Sequence, residues 1–284
     1  MSEKRKNGKK QIVIWMLLLF MLAASAVPTV ASAAAAKGFV TIKKNLYYIK
    51  KNGENAIGWL TKSGKTYYFN EDGKAAKGLT TIGKKTYYFS KDGVMQTGWQ
   101  SIGKKWAYFK KRSGVMAKNT KIDGIKIKKN GYAAPTAVQK KQLKAQKKAE
   151  EVVASITKDS MSKSQKLRAC YNYMTSSRFH YVRKAFSAYS GWEYDYAYQM
   201  LTSSGGNCYN FACAFAMMAK TIGYESYVVR GRIPSISGGL TPHCLVKISG
   251  KYYDPEGDWA GFVHGVYGVS SYPMTLVIDA SRKI

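Results

Sequence analysis

Acidic residues are scarce in this chain: 16 Asp and Glu stand against 46 Lys and Arg, giving a formal net charge of +30 over 284 residues. A surface of that sign seeks polyanions. No RNA- or DNA-reading signature accompanies the charge, so nucleic acid is not the expected partner. Histidine is rarer still, with 3 in the chain, and the 4 cysteines lie at positions 170, 208, 213 and 244. Cys and His are scattered without zinc-ligand spacing, so neither a metal nor another cofactor is expected. Two disulfides are also disfavoured. Cys208 and Cys213 lie five residues apart on one predicted helix, which points them apart, and Cys170 falls on an apolar helix stripe. Cys170, Cys213 and Cys244 read as small core residues, and His180 and His264 as structural or surface groups.

Long apolar runs are also few. One, over residues 12–27, follows Lys4-Arg5-Lys6 and Lys9-Lys10 and precedes Pro28 and Ala31-Ser32-Ala33. It is too short for a comfortable membrane span, and the basic start with an Ala-x-Ala site predicts a secretory signal peptide over residues 1–33, cleaved after Ala33. An uncleaved membrane anchor is the other reading. About 250 residues then remain, enough for more than one domain. The expected location is secreted, at the cell wall or cell surface, with no stable membrane span after cleavage.

The next stretch is repetitive. Gly38, Gly58, Gly78 and Gly98 recur at a 20-residue step, followed by Tyr47-Tyr48, Tyr67-Tyr68-Phe69, Tyr87-Tyr88-Phe89 and Trp106-Ala107-Tyr108-Phe109. Each unit ends in a turn, at Asn52-Gly53, Asp72-Gly73, Asp92-Gly93 and Ser113-Gly114, with Gly64, Gly83 and Gly103 in the middle. This predicts an all-β hairpin-repeat solenoid over residues 38–134, with a partial fifth unit over residues 122–132 as a cap. The pattern resembles the cell-wall-binding repeats of Gram-positive surface proteins, including choline- and glucan-binding forms. A choline cage of that family needs a second Trp where this chain has Leu46, Thr66, Thr86 and only then Trp106. The resemblance therefore implies an anionic or carbohydrate wall polymer, with Trp59, Tyr68, Tyr88, Trp99, Trp106 and Tyr108 as candidate wall-binding residues.

Pro135 ends the repeats, and residues 135–159 read as a helical linker. Its Lys- and Gln-rich first half predicts a solvent-spanning stretch. Ala149, Val152, Val153 and Ile156, at i, i+3, i+4 and i+7, predict that its end docks on the next domain. A second helix is expected from Ser162, which stands three residues before Gln165 in capping-box spacing. Its stripe is Leu167, Cys170, Tyr171 and Met174.

Residues 205–254 carry the chemistry. Gly205-Gly206-Asn207-Cys208 opens an apolar helix closed by Gly223, so Cys208 sits at a helix start, where the dipole favours a thiolate. If Ser249-Gly250 is a two-residue turn, Ile248 faces Lys251 and Leu245 faces Asp254, making His243 and Asp254 diagonal neighbours at roughly 7–8 Å between backbones. Asp254 could then orient His243 while His243 activates Cys208. A three-residue loop would send Asp254 to the other face. Asp258 is the competing acid, in Glu256-Gly257-Asp258-Trp259, where the glycine marks a loop.

Gly-Gly-Asn-Cys before an apolar helix, Gly223-Tyr224, Val228-Val229-Arg230-Gly231, His243 and Lys251-Tyr252-Tyr253-Asp254 resemble the transglutaminase-like superfamily, whose fold is related to papain-type cysteine proteases. The match covers residues 160–284. It implies a C-terminal α+β domain with Cys208 as nucleophile, His243 as general base and acid, and Asp254 as the orienting acid. Cys244 and Leu245 stand where the family often has Trp after the His. The expected function is thioester-mediated acyl transfer or hydrolysis on a peptide, protein or carboxamide substrate. The alternative is a non-catalytic wall-binding or adhesive scaffold with a relic domain.

Overall fold

The computed structural model describes residues 37–284. The leader expected over residues 1–33 lies outside the described residues. Two compact units are present, and the boundary between them falls between Gln96 and Thr97 in the sequence.

The first unit is built of hairpins. β1 (Gly38–Ile42) pairs with β2 (Asn45–Ile49), β3 (Gly58–Lys62) with β4 (Lys65–Phe69), and β5 (Gly78–Ile82) with β6 (Lys85–Phe89), to which β7 (Met95–Gln96) adds an edge. Ile42 faces Asn45, Lys62 faces Lys65 and Ile82 faces Lys85, so each connection is a two-residue turn. Left-handed backbone at Lys43, Lys44, Ser63, Gly64 and Gly83 supplies the twist such turns require. The tight turns thus sit mid-unit. Asn52-Gly53 and Asp72-Gly73 instead steer a return segment back onto the preceding strand, through the bridges Ile49–Asn55 and Phe69–Ala75.

Alternation then sorts the aromatics. In Tyr67-Tyr68-Phe69 the outer two are buried with Ala56, while Tyr68 turns to its cross-strand neighbour Trp59, ring centroids 5.1 Å apart. Trp59 also meets Tyr87 of the following unit edge-on at 4.9 Å. Phe39 repeats the arrangement with Tyr48 at 5.0 Å and Tyr67 at 4.7 Å. Phe39 and Trp59, the rings after Gly38 and Gly58, therefore join one hairpin to the next, Trp59 and Tyr87 in the edge-to-face geometry that aromatic quadrupoles favour.

The second unit opens with β8 (Gly98–Ile102), β9 (Lys105–Phe109), β10 (Thr120–Ile122), β11 (Ile125–Ile127) and β12 (Tyr132–Ala133), in the sheet order β10-β11-β12-β9-β8. α1 (Ala137–Ile156) follows, capped by Thr136 in a capping box with Gln139. The first half of α1 does not span solvent. Leu143 is fully buried against Trp99, Trp106, Ile125 and Ile127, and Lys147 Nζ donates to Gln100 Oε1 at 3.2 Å. One leucine among lysines and glutamines leaves little periodicity, but an aromatic wall facing it is enough to bury it. The second half docks through Ala149, Val152 and Val153, as its spacing predicts.

The remainder is α+β. α2 (Lys163–Met174) starts at the Ser162 capping box with Gln165. β13 (His180–Tyr181) pairs in parallel with β14 (Gly205–Gly206), on either side of α3 (Trp192–Ser203). α4 (Cys208–Thr221) is the central helix, buried from Cys208 through Ala219. Phe211, Phe215 and Met217 have no exposed surface, and burial of each such side chain contributes about 1.5–3 kcal/mol. β15 (Ser226–Pro234), β16 (Leu240–Ile248), β17 (Lys251–Tyr253), β18 (Tyr267–Val269) and β19 (Val277–Lys283) form an antiparallel sheet ordered β18-β17-β16-β15-β19, with α5 (Pro255–Ala260) after β17. One face, with Val228, Cys244, Val246 and Ile248, shares the α4 core; the other, with Val229, Ile233 and Leu245, packs on Val263, Val266 and Tyr272.

Candidate active site

The start of α4 is fixed by close contacts. A Cβ on Gly206 would lie 2.4 Å from Cβ of Asn210, so that position needs glycine for space, whereas one on Gly205 would meet only the ring of exposed His180. Asn207 is the N-cap. Its Oδ1 accepts from the backbone N–H of Tyr209 at 3.1 Å, and Asn210 Oδ1 accepts from the Asn207 N–H at 3.1 Å. Asn207 Nδ2 in turn donates to Lys184 O at 2.9 Å. Cys208 follows as the first helical residue, 6% exposed. Its N–H has no acceptor within the helix, and the positive end of the helix dipole lies beside it.

The partners arrive on β16 and after β17. Ser249 and Gly250, at φ 50° and 80°, make the two-residue turn, and Ile248 faces Lys251, Lys247 faces Tyr252 and Val246 faces Tyr253. The ladder stops there, and Asp254 becomes the N-cap of α5, its Oδ1 accepting from the Gly257 N–H at 2.9 Å. Its Oδ2 accepts from His243 Nε2 at 2.7 Å and from the Tyr272 hydroxyl at 2.6 Å. Nδ1 of His243 lies 3.7 Å from Glu256 Oε2, and Cys208 is near enough for its sulfur to act on the imidazole. Burial works against protonation of His243, yet Asp254 and Cys208 outweigh it and raise its pKa to about 10.

Glu256, Tyr272 and Tyr171 also belong to the site or its frame. Glu256 is 5% exposed, with Oε2 3.7 Å from His243 Nδ1. Burial pushes its carboxyl up to about 7, against the pull of His243. Asp258 bonds elsewhere: the Tyr171 hydroxyl donates to its Oδ2, and its Oδ1 accepts from the Gly265 N–H at 2.7 Å. Gly257 lies inside α5 and not in a loop, and a Cβ there would meet Asp254 Oδ2 at 2.6 Å. Asp before Pro255 is a helix-start signal that could have shown this. Nothing local marks Tyr272, 18 residues beyond Asp254.

His243, Asp254 and Glu256 offer ligand-type atoms within 4.8 Å of one another. The 2.7 Å contact between Nε2 and Oδ2 is a hydrogen bond, so His243 and Asp254 already work as an acid–base pair. All four cysteines are free thiols. Burial raises Cys170 to about 12 and holds Cys213 and Cys244 well above the usual thiol value.

The wall-binding candidates separate by exposure. Trp59 is 45% exposed, and Tyr68, Tyr88 and Tyr108 are half-buried. Trp99 is 1% exposed with its indole Nε1 donating to Asp123 Oδ2 at 2.8 Å, and Trp106 is buried beside it. These two rings are core here, because the partial fifth unit and α1 cover them.

Residues 150–262 match the model of the transglutaminase-like superfamily. Residues 76–120 match the choline-binding repeat, and residues 37–54 and 57–75 the putative cell wall binding repeat. This chain carries a transglutaminase-like domain behind cell-wall-binding repeats. The repeats are similar to choline-binding protein F of Streptococcus pneumoniae, solved in the presence of a peptidoglycan analogue, at 33% identity over 35% of this chain and 34% of that one, with a TM-score of 0.34. CbpJ from the same organism gives 33% identity over 35% and 34%, with a TM-score of 0.33. A pneumococcal cell wall endolysin from phage Cp-1, complexed with choline, gives 28% over 35% and 31%, with a TM-score of 0.27. The chain thus spans about a third of the length of each of these structures. No curated protein matches it. Among the described residues, no helix is long and apolar enough to cross a membrane.

Proposed function

We propose that this protein is an exported, wall-associated cysteine enzyme whose transglutaminase-like domain transfers an acyl group from a peptide carboxamide or peptide bond through a thioester on Cys208. The observation that carries the reading is the buried relay at the start of α4: Cys208 beside His243, and His243 Nε2 bonded to Asp254 at 2.7 Å. The Cys208 sulfur attacks the carbonyl carbon, and the oxygen takes the negative charge next to the Cys208 N–H. As the C–N bond breaks, the imidazolium delivers a proton to the leaving amine. Its raised pKa keeps that proton on His243 at neutral pH. A second amine or water then attacks the thioester, passes its proton to His243 and frees Cys208. Asp254, held by Gly257 and Tyr272, fixes the ring throughout.

Wall attachment by the repeats rests on their lysines and on half-exposed rings such as Trp59 and Tyr68, with an anionic or carbohydrate polymer as the ligand. The experiment follows ammonia release from a glutamine-containing peptide with and without a labelled primary amine. Release that is abolished by Cys208→Ala supports the reading, and amine incorporation separates transfer from hydrolysis. Equal release by Cys208→Ala contradicts it.

A further inference from the structure

On the sheet face that holds Val228, a cavity of 540 Å³ opens between β15, β19 and the segment leading into α3. Trp192 and Val228, both buried, line it together with Tyr189, Arg230 and Arg282. The strand register explains why two arginines converge. Arg230 faces Ala280 and Val228 faces Arg282, so Arg230 and Arg282 are diagonal neighbours on one face of an antiparallel pair. Their charges are not balanced alike. Glu193, 5% exposed, reaches Arg282 Nη1 at 3.4 Å from the first turn of α3. Among the described residues no carboxylate lies within ion-pair distance of Arg230, which is half-buried in a chain with 16 acids. Its guanidinium instead lies over the Phe186 ring, 4.9 Å from the centroid, an arrangement that positions the fork and leaves its edge open to a ligand. Phe186 stacks on Tyr209 at 4.2 Å, and Tyr209 adjoins Cys208.

We infer that this cavity is a carboxylate subsite: Arg230, supported by Arg282, takes the free carboxylate of the peptide acyl donor. The inference rests on the proposed acyl-transfer reading for the identity of its ligand as a peptide. A planar fork without a carboxylate of its own matches a carboxylate ligand in a paired geometry. Lys141, which lies over the Tyr189 ring at 4.5 Å and bonds Asp195 at 2.6 Å, pins the outer wall.

The test is equilibrium binding, which needs no turnover. Full-length protein with Cys208→Ala is titrated calorimetrically with N-acetyl-tetraalanine and with its C-terminal amide. The acid binds about tenfold or more tightly than the amide, the range expected for a hydrogen-bonded charge. Arg230→Gln removes that preference and Arg230→Lys restores part of it. Arg232→Gln, which takes the same charge from β15 but removes a side chain engaged with Asp279, leaves the preference intact. Equal binding of acid and amide, no binding of either, or an equal loss in Arg232→Gln overturns the subsite. Inorganic phosphate displacing the acid at the same affinity overturns its assignment to a carboxylate. Failure of the acyl-transfer reading shows separately, as parent protein that releases no ammonia while the acid still binds.

Discussion

Asp254 and Asp258 stand four residues apart with opposite tasks. Asp254 holds the His243 ring, whereas Asp258 ties the Tyr171 hydroxyl and the Gly265 N–H. Asp254→Asn should lower turnover by about 10³–10⁴, because an amide neither fixes the tautomer nor stabilises the imidazolium. Asp258→Asn should leave turnover within a few-fold and cost about 1–2 kcal/mol of stability through the weakened Tyr171 bond. Steady-state rates beside thermal melts separate the two, and a crippled Asp258→Asn with an active Asp254→Asn reverses the assignment. Glu256 adds a pH signature. Its folded pKa of about 7 lies above the ordinary carboxyl value of 4.5, so its contribution to stability is fully present below about 4.5 and is lost as pH rises through 7. The loss amounts to about 3 kcal/mol at most. Glu256→Gln is neutral throughout, so its melting temperature relative to the parent should rise by several degrees between about pH 5 and about pH 8. A flat difference across that range would show that Glu256 is not held neutral by its burial.

At the scale of elements, the turn and the helix start were legible because their signals are local. Ser249-Gly250 fixes the register of β16 with β17, and Asn207 before an apolar run marks the start of α4. The burial of Leu143 was not legible, since its partners Trp99, Ile125 and Ile127 come from the end of the repeats and the helix around it is polar. Glu256 and Tyr272 were missed for a similar reason: burial beside His243 is a tertiary fact. Gly206 tests whether the helix start is as tightly built as its contacts indicate. Gly206→Ala should destabilise by about 1–3 kcal/mol and slow alkylation of Cys208, because its Cβ falls against Asn210. Gly250→Ala, at φ 80° but with open space around it, should cost about 1 kcal/mol and leave alkylation unchanged. Melts combined with iodoacetamide kinetics measure both, and equal alkylation rates would show that the contact at Gly206 does not position the cysteine.

At the scale of the whole molecule, the 20-residue period and the Gly-Gly-Asn-Cys motif made both halves recognisable, while the place where one compact unit ends was not written in the period. The hairpin over residues 98–109 repeats its predecessors in sequence yet packs on α1. A chain beginning at Thr97 should therefore melt like the second unit of the parent, whereas one beginning at Pro135 should melt several degrees lower for want of the wall that buries Leu143. Both should sediment less with isolated cell walls than the full chain does. Equal melting of the two truncations would show that the last hairpin adds nothing to the domain. Added salt should weaken retention of the full chain, since lysine attraction to a polyanion is screened over roughly 8–10 Å.

The central claim is that Cys208 forms a thioester, and intact-protein mass spectrometry after acid quenching reads it directly. Mixed with a glutamine-containing peptide, the parent should gain the mass of the peptide less one ammonia. Digestion should place that adduct on Cys208 and not on Cys170, Cys213 or Cys244, and an added primary amine should discharge it. Cys208→Ala should show no adduct. An adduct that persists in Cys208→Ala, or a parent that turns over the peptide without ever carrying one, would contradict the account.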